Sequence, residues 1–292
     1  MQSNEEKRGH ELIAKAEAAL KRFTIFSSTS KYEDAVSFYQ KAANNFKMAK
    51  KWQDAGNAYK KCAECEVKLK SMHEAATHYV AAADMYRRIE PASSISLYQQ
   101  AISMFCEMGR FSSAAKHCEM IGELYDKDNN VEQAVAFYQQ AGDYYMGEDA
   151  SSRAGKCFEK VAKHAATLSK YDKAAETFEN LASTALESNL LKFNAKKHFL
   201  HAGVCHLARG DLVASKQSIE QFKDQDYTFG DSRECKLLEN ILAAYEDYDI
   251  DAFADHLYAY DSVSPLDPWL TSILLRVKNS ITEASEEAPD LS

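Results

Sequence analysis

The stretch KYEDAVSFYQKAANNFKMAKKWQDAGNAYKKCAECEVKLKSMHEAATHYVAAADMY, residues 31–86, decides the fold. Within it Ala35, Ala55 and Ala75 recur every 20 residues, followed four residues later by Tyr39, Tyr59 and Tyr79 and eight later by Ala43, Ala63 and Ala83. Residues i, i+4 and i+8 share one helical face, so each unit presents a stripe that reads small, aromatic, small. Small residues let two helix backbones approach closely while the ring fills the space beside them. One helix cannot bury such a stripe alone, whereas a stack of units buries it continuously.

The rhythm extends beyond this stretch. Ile95, Ala114, Ala134, Ala154 and Ala174 follow at spacings of 20 or 19, with Gln99, Cys118, Tyr138, Phe158 and Phe178 at the ring position and Ser103, Gly122, Gly142, Ala162 and Ala182 at the second small position. Turn signals fall between the units at Lys50-Lys51-Trp52, Glu90-Pro91, Gly109-Arg110, Lys127-Asp128-Asn129-Asn130 and Gly147-Glu148-Asp149. Two helices every 40 residues come close to the tetratricopeptide layout of about 34. The predicted fold is all-α, a tetratricopeptide-like right-handed stack of antiparallel helix hairpins over 31–209. A helix over 1–22 and an apolar loop over 23–30 precede it. The period fades after Leu190-Leu191-Lys192, and a C-terminal helical bundle over 210–281, interrupted at Ser264-Pro265-Leu266-Asp267-Pro268, is predicted to cap the array. The tail over 282–292, acidic and nearly free of apolar side chains, is predicted to be flexible.

Composition agrees with this class. The 292 residues are 46% hydrophobic, with four prolines and ten glycines, which suits long helices around an ample core. The N-terminus mixes charged and apolar residues at helical spacing and lacks the apolar run of a signal peptide. No segment approaches the roughly 20 apolar residues of a membrane span. Seven cysteines, an odd number, fit a reducing compartment, so the chain is predicted to be soluble and cytoplasmic. The net charge of −9 conceals an asymmetry: from Asp224 onward 16 acidic residues face 4 basic ones, net −12, leaving net +3 before it. The two ends are therefore predicted to prefer partners of opposite sign. No basic domain or arginine stripe suited to phosphate backbones is present, which argues against nucleic acid.

Catalytic signatures are missing too. The chain has no glycine-rich phosphate loop, no HExxH and no nucleophile elbow, so no enzymatic activity, metal or cofactor is predicted. His73-Glu74-Ala75-Ala76-Thr77 departs from the zinc-protease pattern at its last position. His198 and His201 lie three apart but lack a convincing third ligand, and are read as surface or interface histidines. Cys62 and Cys65 form a CxxC in mid-helix, without the preceding strand of a redox motif. Cys62 occupies the place that Ala42 and Ala82 hold in neighbouring units, which makes it a packing residue. The tyrosine ladder is read as core for the same reason. Between the first two helices, Phe23, Ile25 and Phe26 stand in a short polar linker, where they either staple the first helix to the array or probe a membrane.

Five ordered blocks carry a resemblance over essentially the full length: NFKMAKKWQDAGNAY at 45–59, GRFSSAAKHC at 109–118, DYYMGEDASSRAGKC at 143–157, DSRECKLL at 231–238 and PLDPWLTSILLRVK at 265–278. The chain resembles the soluble NSF attachment proteins, specifically the alpha type. That resemblance implies an adaptor that binds assembled SNARE complexes, several copies to a complex, and recruits and stimulates the hexameric ATPase NSF, which disassembles them after vesicle fusion. It implies peripheral membrane association and a place in intracellular, ER–Golgi transport. Arg110, Lys116, Lys156, Lys196 and Arg233 match the family's basic residues that face the acidic, syntaxin-containing bundle. Asp211, Glu246 and Asp247 match its NSF-contacting carboxylates, although a further family glutamate is Ala243 here. Leu291 matches the penultimate leucine that stimulates NSF. Phe23, Ile25 and Phe26 fall in its membrane-contacting loop, with fewer aromatics and glycines than the family carries. The alternative is a generic tetratricopeptide-like scaffold for peptides or other helical partners, but basic positions scattered over many helices suit a long partner better than a short terminus.

Overall fold

The computed structural model describes residues 3–22 and 28–287. These form helices α1 (Asn4–Lys21), α2 (Ser28–Met48), α3 (Trp52–Lys68), α4 (Met72–Tyr86), α5 (Pro91–Glu107), α6 (Phe111–Lys127) and α7 (Val131–Gly147). They continue as α8 (Ser151–Thr167), α9 (Tyr171–Glu187), a 3₁₀ turn (Lys192–Asn194), α10 (Ala195–Arg209), α11 (Leu212–Gln225), α12 (Arg233–Glu246), α13 (Ile250–Asp261) and α14 (Pro268–Glu287). No strand occurs among the described residues, so the all-α stack of helix hairpins is the observed architecture. Two compact units divide the chain, residues 1–151 and residues 152–292.

In the first unit each helix packs on the next. The turns between them are short, which makes successive helices antiparallel. One turn recurs. Lys50 has φ 56°, its N–H reaches the Lys47 carbonyl at 3.0 Å, and the Lys51 N–H reaches the Phe46 carbonyl at 2.8 Å. This paired closure satisfies carbonyls that a helix end otherwise leaves without partners. The same left-handed residue returns at Lys70, Gly109, Asn129 and Asp149, and in the second unit at Ser169 and Tyr248. Only one of these seven positions is glycine, so the helix-end hydrogen bonds outweigh the roughly 1 to 2 kcal/mol that a side chain costs in this conformation.

The repeat stripe is the core. Ala35, Ala55, Ala75, Ala114, Ala134, Ala154 and Ala174 have no exposed surface, and Tyr39, Tyr59, Tyr79, Tyr138 and Phe178 are buried beside them. Buried hydroxyls need partners, and the preceding helix supplies them: Tyr59 donates to Asn44 at 3.0 Å and Tyr138 to Asp126 at 2.6 Å. The small positions are small by necessity. A methyl on Gly122 would stand 2.7 Å from the Tyr138 ring.

One unit departs from the predicted register. Ile95 is only half buried, and Gln99 and Ser103 are exposed. The residues that face the core are Ser94, Tyr98 and Ile102, with Tyr98 donating to Asp84 at 2.5 Å. The short interval thus lies between Ala75 and Ser94, not between Ile95 and Ala114. The cause is local: the turn before α5 lacks the left-handed residue, and Pro91 opens the helix directly.

The second unit has one continuous core running from Ala162 in α8 to Ile281 in α14. The predicted boundary at 209/210 therefore differs from the packing, which joins α8 and α9 to the C-terminal helices. Trp269 explains part of this, because its ring centroid lies 5.4 Å from that of Phe178 in α9. Residues 282–287 of the predicted tail are helical. Helix α14 continues to Glu287, held by the fully buried Ile281, and the Ser285 hydroxyl donates to the Thr282 carbonyl at 2.8 Å. Helix α2 likewise begins at Ser28, inside the predicted loop.

Two glycines in the second unit make opposite predictions. A methyl on Gly203 would lie 2.5 Å from Leu238 Cδ1, whereas on Gly155 the nearest neighbour is Leu181 Cδ2 at 3.7 Å. Gly203→Ala should destabilise by about 1 to 3 kcal/mol through overpacking. Gly155→Ala should stabilise by about 0.5 to 1 kcal/mol through helix propensity. Urea denaturation of the two variants measures both signs.

Candidate functional site

Helices α10 and α12 lie side by side and run the same way. Gly203 meets Leu238 at their middles, and seven residues further along each helix the Cβ position of Gly210 comes within 3.8 Å of the Tyr245 hydroxyl. Their starts therefore share one end of the second unit, and their finishes share another about 20 Å away at 1.5 Å per residue.

The basic and acidic residues singled out from the sequence fall at different ends, with Asp226, Asp231 and Glu234 also at the first and Arg209 also at the second. Lys196, half-buried, is the second residue of α10, and the exposed Arg233 is the first of α12. Lys197 pairs with Glu159 at 3.5 Å, which brings α8 to the same end, one turn beyond the exposed Lys156. At the other end stand Asp211, in the turn after α10, Glu246, the last residue of α12, and Asp247, its cap. All three are exposed, as is Ala243 one turn earlier. Asp211 also has a local task, accepting the Ala214 N–H at 2.9 Å to start α11, and Arg209 bridges Asp172 and Asp211. In the first unit, Arg110 stands exposed at the N-cap of α6 with Lys116 exposed in the following turn. Lys116 and Lys156 occupy equivalent places in the repeat, each two residues after the buried alanine.

These placements oppose the helix macrodipole. Helix starts carry partial positive charge and favour acids, and helix ends favour bases. Arg110, Lys196 and Arg233 at starts, with Glu246 and Asp247 at an end, each forgo roughly a few tenths of a kcal/mol. A local rule broken repeatedly in one direction marks a surface shaped for something other than folding.

The basic end also holds an apolar surface that sequence reasoning missed. Leu190, Phe193 and Tyr227 are 85%, 80% and 88% exposed. Phe193 and Tyr227 line a 480 Å³ groove together with Lys192, Lys196 and Asp226, and the Lys192 ammonium lies 5.6 Å from the Phe193 ring centroid. The signal was the run Leu190-Leu191-Lys192-Phe193, read only as the place where the period fades. Phe23, Ile25, Phe26 and Leu291 lie outside the described residues.

Residues 7–282 match the model of the family described as soluble NSF attachment protein, SNAP. The chain belongs to this family. It is 40% identical over 284 residues to an alpha-soluble NSF attachment protein of Vitis vinifera, covering 97% of this chain and 98% of that one. Against the Homo sapiens alpha protein it is 39% identical over 291 residues, covering 98% of each. A probable vesicular-fusion protein sec17 homolog of Schizosaccharomyces pombe is 34% identical over 266 residues, with 91% and 92% covered. Among solved structures, a signal-transduction ATPase with a tetratricopeptide repeat sensor from Pyrococcus horikoshii matches at TM-score 0.46 and 16% identity, covering 94% of this chain and 44% of that one. The SNAP family is one of attachment proteins, not enzymes.

The remaining chemistry-bearing residues are structural. His201 is not at the surface as predicted: it is 1% exposed, with its ring centroid 4.9 Å from both Phe178 and Trp269. The apolar i, i+4 pattern of α10 turns that face into the core, and histidine there serves as a flat ring. His198, half-buried, stacks on Phe178 at 6.4 Å. Among the described residues no group of three or more His, Cys, Asp or Glu side chains could hold a metal ion, and no helix is long and apolar enough to cross a membrane. Cys62 is fully buried, and burial followed by the neighbouring Cys65 and Glu66 pushes its thiol up, away from a reactive thiolate. Burial also raises Cys65, to about 11.

The buried imidazoles make stability fall in mild acid. Burial, reinforced by Lys197 and Lys163, lowers the His201 pKa to about 3, against the opposing pull of Glu159 and Asp267. Burial and Lys116 lower that of His117, stacked on Tyr98 and Phe105, to about 4. Unfolded histidine titrates near 6.5, so between about pH 6.5 and 4 the unfolded chain binds protons that the folded chain refuses. Lowering pH from 7 to 5 should remove on the order of 2 kcal/mol per buried histidine. His117→Phe, which keeps the stacked ring, should lessen that slope in denaturant midpoints measured across this window.

Proposed function

We propose that this chain binds assembled SNARE complexes through its basic residues and recruits and stimulates NSF through its acidic C-terminal helices, so that the ATPase disassembles the bundle after fusion. The carrying observation is that the candidate residues fall at two separate places in the second unit: Lys156, Lys196 and Arg233 at one end, Asp211, Glu246 and Asp247 at the other. A family described by its attachment to NSF has two partners to join, and two sets of residues of opposite sign suit that task.

Individual exposed ion pairs are worth roughly 0.2 to 1 kcal/mol, so the grip on a bundle must come from many contacts over several copies. Leu190, Phe193 and Tyr227 add what charge alone lacks. Apolar anchors beside a basic rim form the centre of a protein contact, each burying area that exposed lysines do not. Arg110 and Lys116 are the basic contacts assigned to the first unit. On this reading Phe23, Ile25 and Phe26 touch lipid weakly and only when copies cluster on a membrane-anchored complex, giving a cytoplasmic protein peripherally bound to membranes. Leu291 stimulates the ATPase.

In the deciding assay, purified protein is mixed with preassembled SNARE complexes and NSF. The expected result is that NSF is retained only when this chain is present and that ATP then releases free SNAREs. Folded protein that leaves NSF in the unbound fraction ends the proposal.

Reversing charge separates the surfaces. Lys116→Glu combined with Lys156→Glu should weaken SNARE binding about tenfold or more at low salt, through loss and repulsion of two contacts multiplied over copies, while liposome binding changes less. Co-sedimentation measures both, and the opposite ranking would overturn the assignment of the basic end.

A further inference from the structure

Helix α14 is fixed to the turn between α8 and α9 by a directional clamp. One terminal nitrogen of Arg276 donates to the Ala166 carbonyl at 3.1 Å, the Ser169 hydroxyl at 3.2 Å and the Tyr171 hydroxyl at 3.2 Å. The other donates to the Thr167 carbonyl at 3.1 Å. Ala166 and Thr167 end α8; the Ala166 carbonyl also accepts the Ser169 N–H at 2.9 Å, while the guanidinium gives the Thr167 carbonyl a partner that no further helical turn supplies. Two turns earlier in α14, Trp269 donates its indole N–H to the Lys163 carbonyl at 3.0 Å. Lys163 in turn lies 3.2 Å from Asp267 and 5.5 Å from the Trp269 ring centroid. Partners more than 100 residues apart in sequence are thus joined at both ends of one short span.

The other contacts of α14 are of a different kind. Leu270, Ile273, Leu274, Val277 and Ile281 bury apolar surface in the shared core. Apolar burial is non-directional and opposes separation more than sliding or rotation. Hydrogen bonds from a charged planar fork to two backbone carbonyls, with two hydroxyls sharing one of its nitrogens, oppose both. Helix α13, which follows the acidic end, buries Phe253 and packs Ile250, Leu257 and Tyr260 partly against the same core.

We infer that Arg276 and Trp269 are positioning residues that pass load from the acidic C-terminal helices into α8 and α9, and so to Lys156 at the basic end. The inference rests on the function proposed above: a motor engaging the acidic end moves the bound bundle only if the two ends move as one body. Binding at either end needs no such stiffness. Coupling does.

The test uses the full-length chain in three parallel measurements: half-saturation of SNARE binding, retention of NSF, and the initial rate of ATP-driven disassembly at saturating protein. Arg276→Ala should leave the first two within about twofold of wild type while the disassembly rate falls about tenfold or more, a split that lost folding alone does not produce. Arg276→Lys, which keeps the charge and loses the fork, should be intermediate. Hydrogen exchange should quicken in α14 and in the α8–α9 turn and stay unchanged in α10. Should Arg276→Ala fail to fold, Trp269→Phe keeps a ring at this position while removing the N–H donor and part of the indole's volume, and the same split is expected in smaller measure. Wild-type disassembly rates in both variants, or losses that follow binding in proportion, would overturn the inference. The wild-type reaction reports separately on the proposed function, since failure there precedes any variant.

Discussion

The close approach of helix backbones at fully buried alanines is the constraint on which the rest depends. Alanine at 35, 55, 75, 114, 134, 154 and 174 sets how near neighbouring helices come, and a ring four residues on, replaced by Cys118 after Ala114, occupies the volume left beside the contact. A larger residue at the small position would collide with what already fills the gap, as the Tyr138 ring 2.7 Å from a methyl on Gly122 makes plain. The turns obey the same economy. A 20-residue unit leaves about three residues to reverse direction, and a single left-handed residue with two returning hydrogen bonds does so while satisfying the helix end.

Much of this was legible because it repeats. A stripe seen once is ambiguous between core helix and surface helix, but the same stripe at a constant interval admits only stacking. The reading failed where the interval changed. Ile95 and Ser94 are adjacent, and only a turn closed by Pro91 without the left-handed residue tells that Ser94 faces inward; serine in that place argues against itself until its hydroxyl is seen donating to the Pro91 carbonyl at 2.6 Å. His201 failed for a related reason. Its neighbours in sequence gave no sign that Trp269, 68 residues later, would lie against it. Long-range packing leaves no local periodicity to read.

The candidate site was legible as chemistry and not as arrangement. Basic and acidic residues could be picked out from the family resemblance, but that Lys156, Lys196 and Arg233 come to one end depends on α10 and α12 running parallel and on the Lys197–Glu159 pair. The apolar residues beside them escaped attention because an exposed leucine in a loop resembles any other. Their significance comes from company: Phe193 and Tyr227 share one groove with Lys196, and Leu190 stands nearby in the chain, almost fully exposed.

The boundary of the second unit follows from the same physics as its electrostatics. If the repeats simply ended at α9 and a cap were added, the C-terminal helices would need only an apolar seam with α10. Instead α14 returns past α10 to reach the carbonyls of α8, a connection that closes a loop of more than 100 residues and carries the corresponding entropic cost. Folding alone offers cheaper ways to finish a stack, since a polar outer face on the last repeat suffices. Charges set against the helix dipoles of α10 and α12, and a long-range clamp between α8 and α14, are two departures from the least costly fold in the same unit. Both become intelligible under the proposed function, in which that unit holds one partner, holds another, and stays rigid between them.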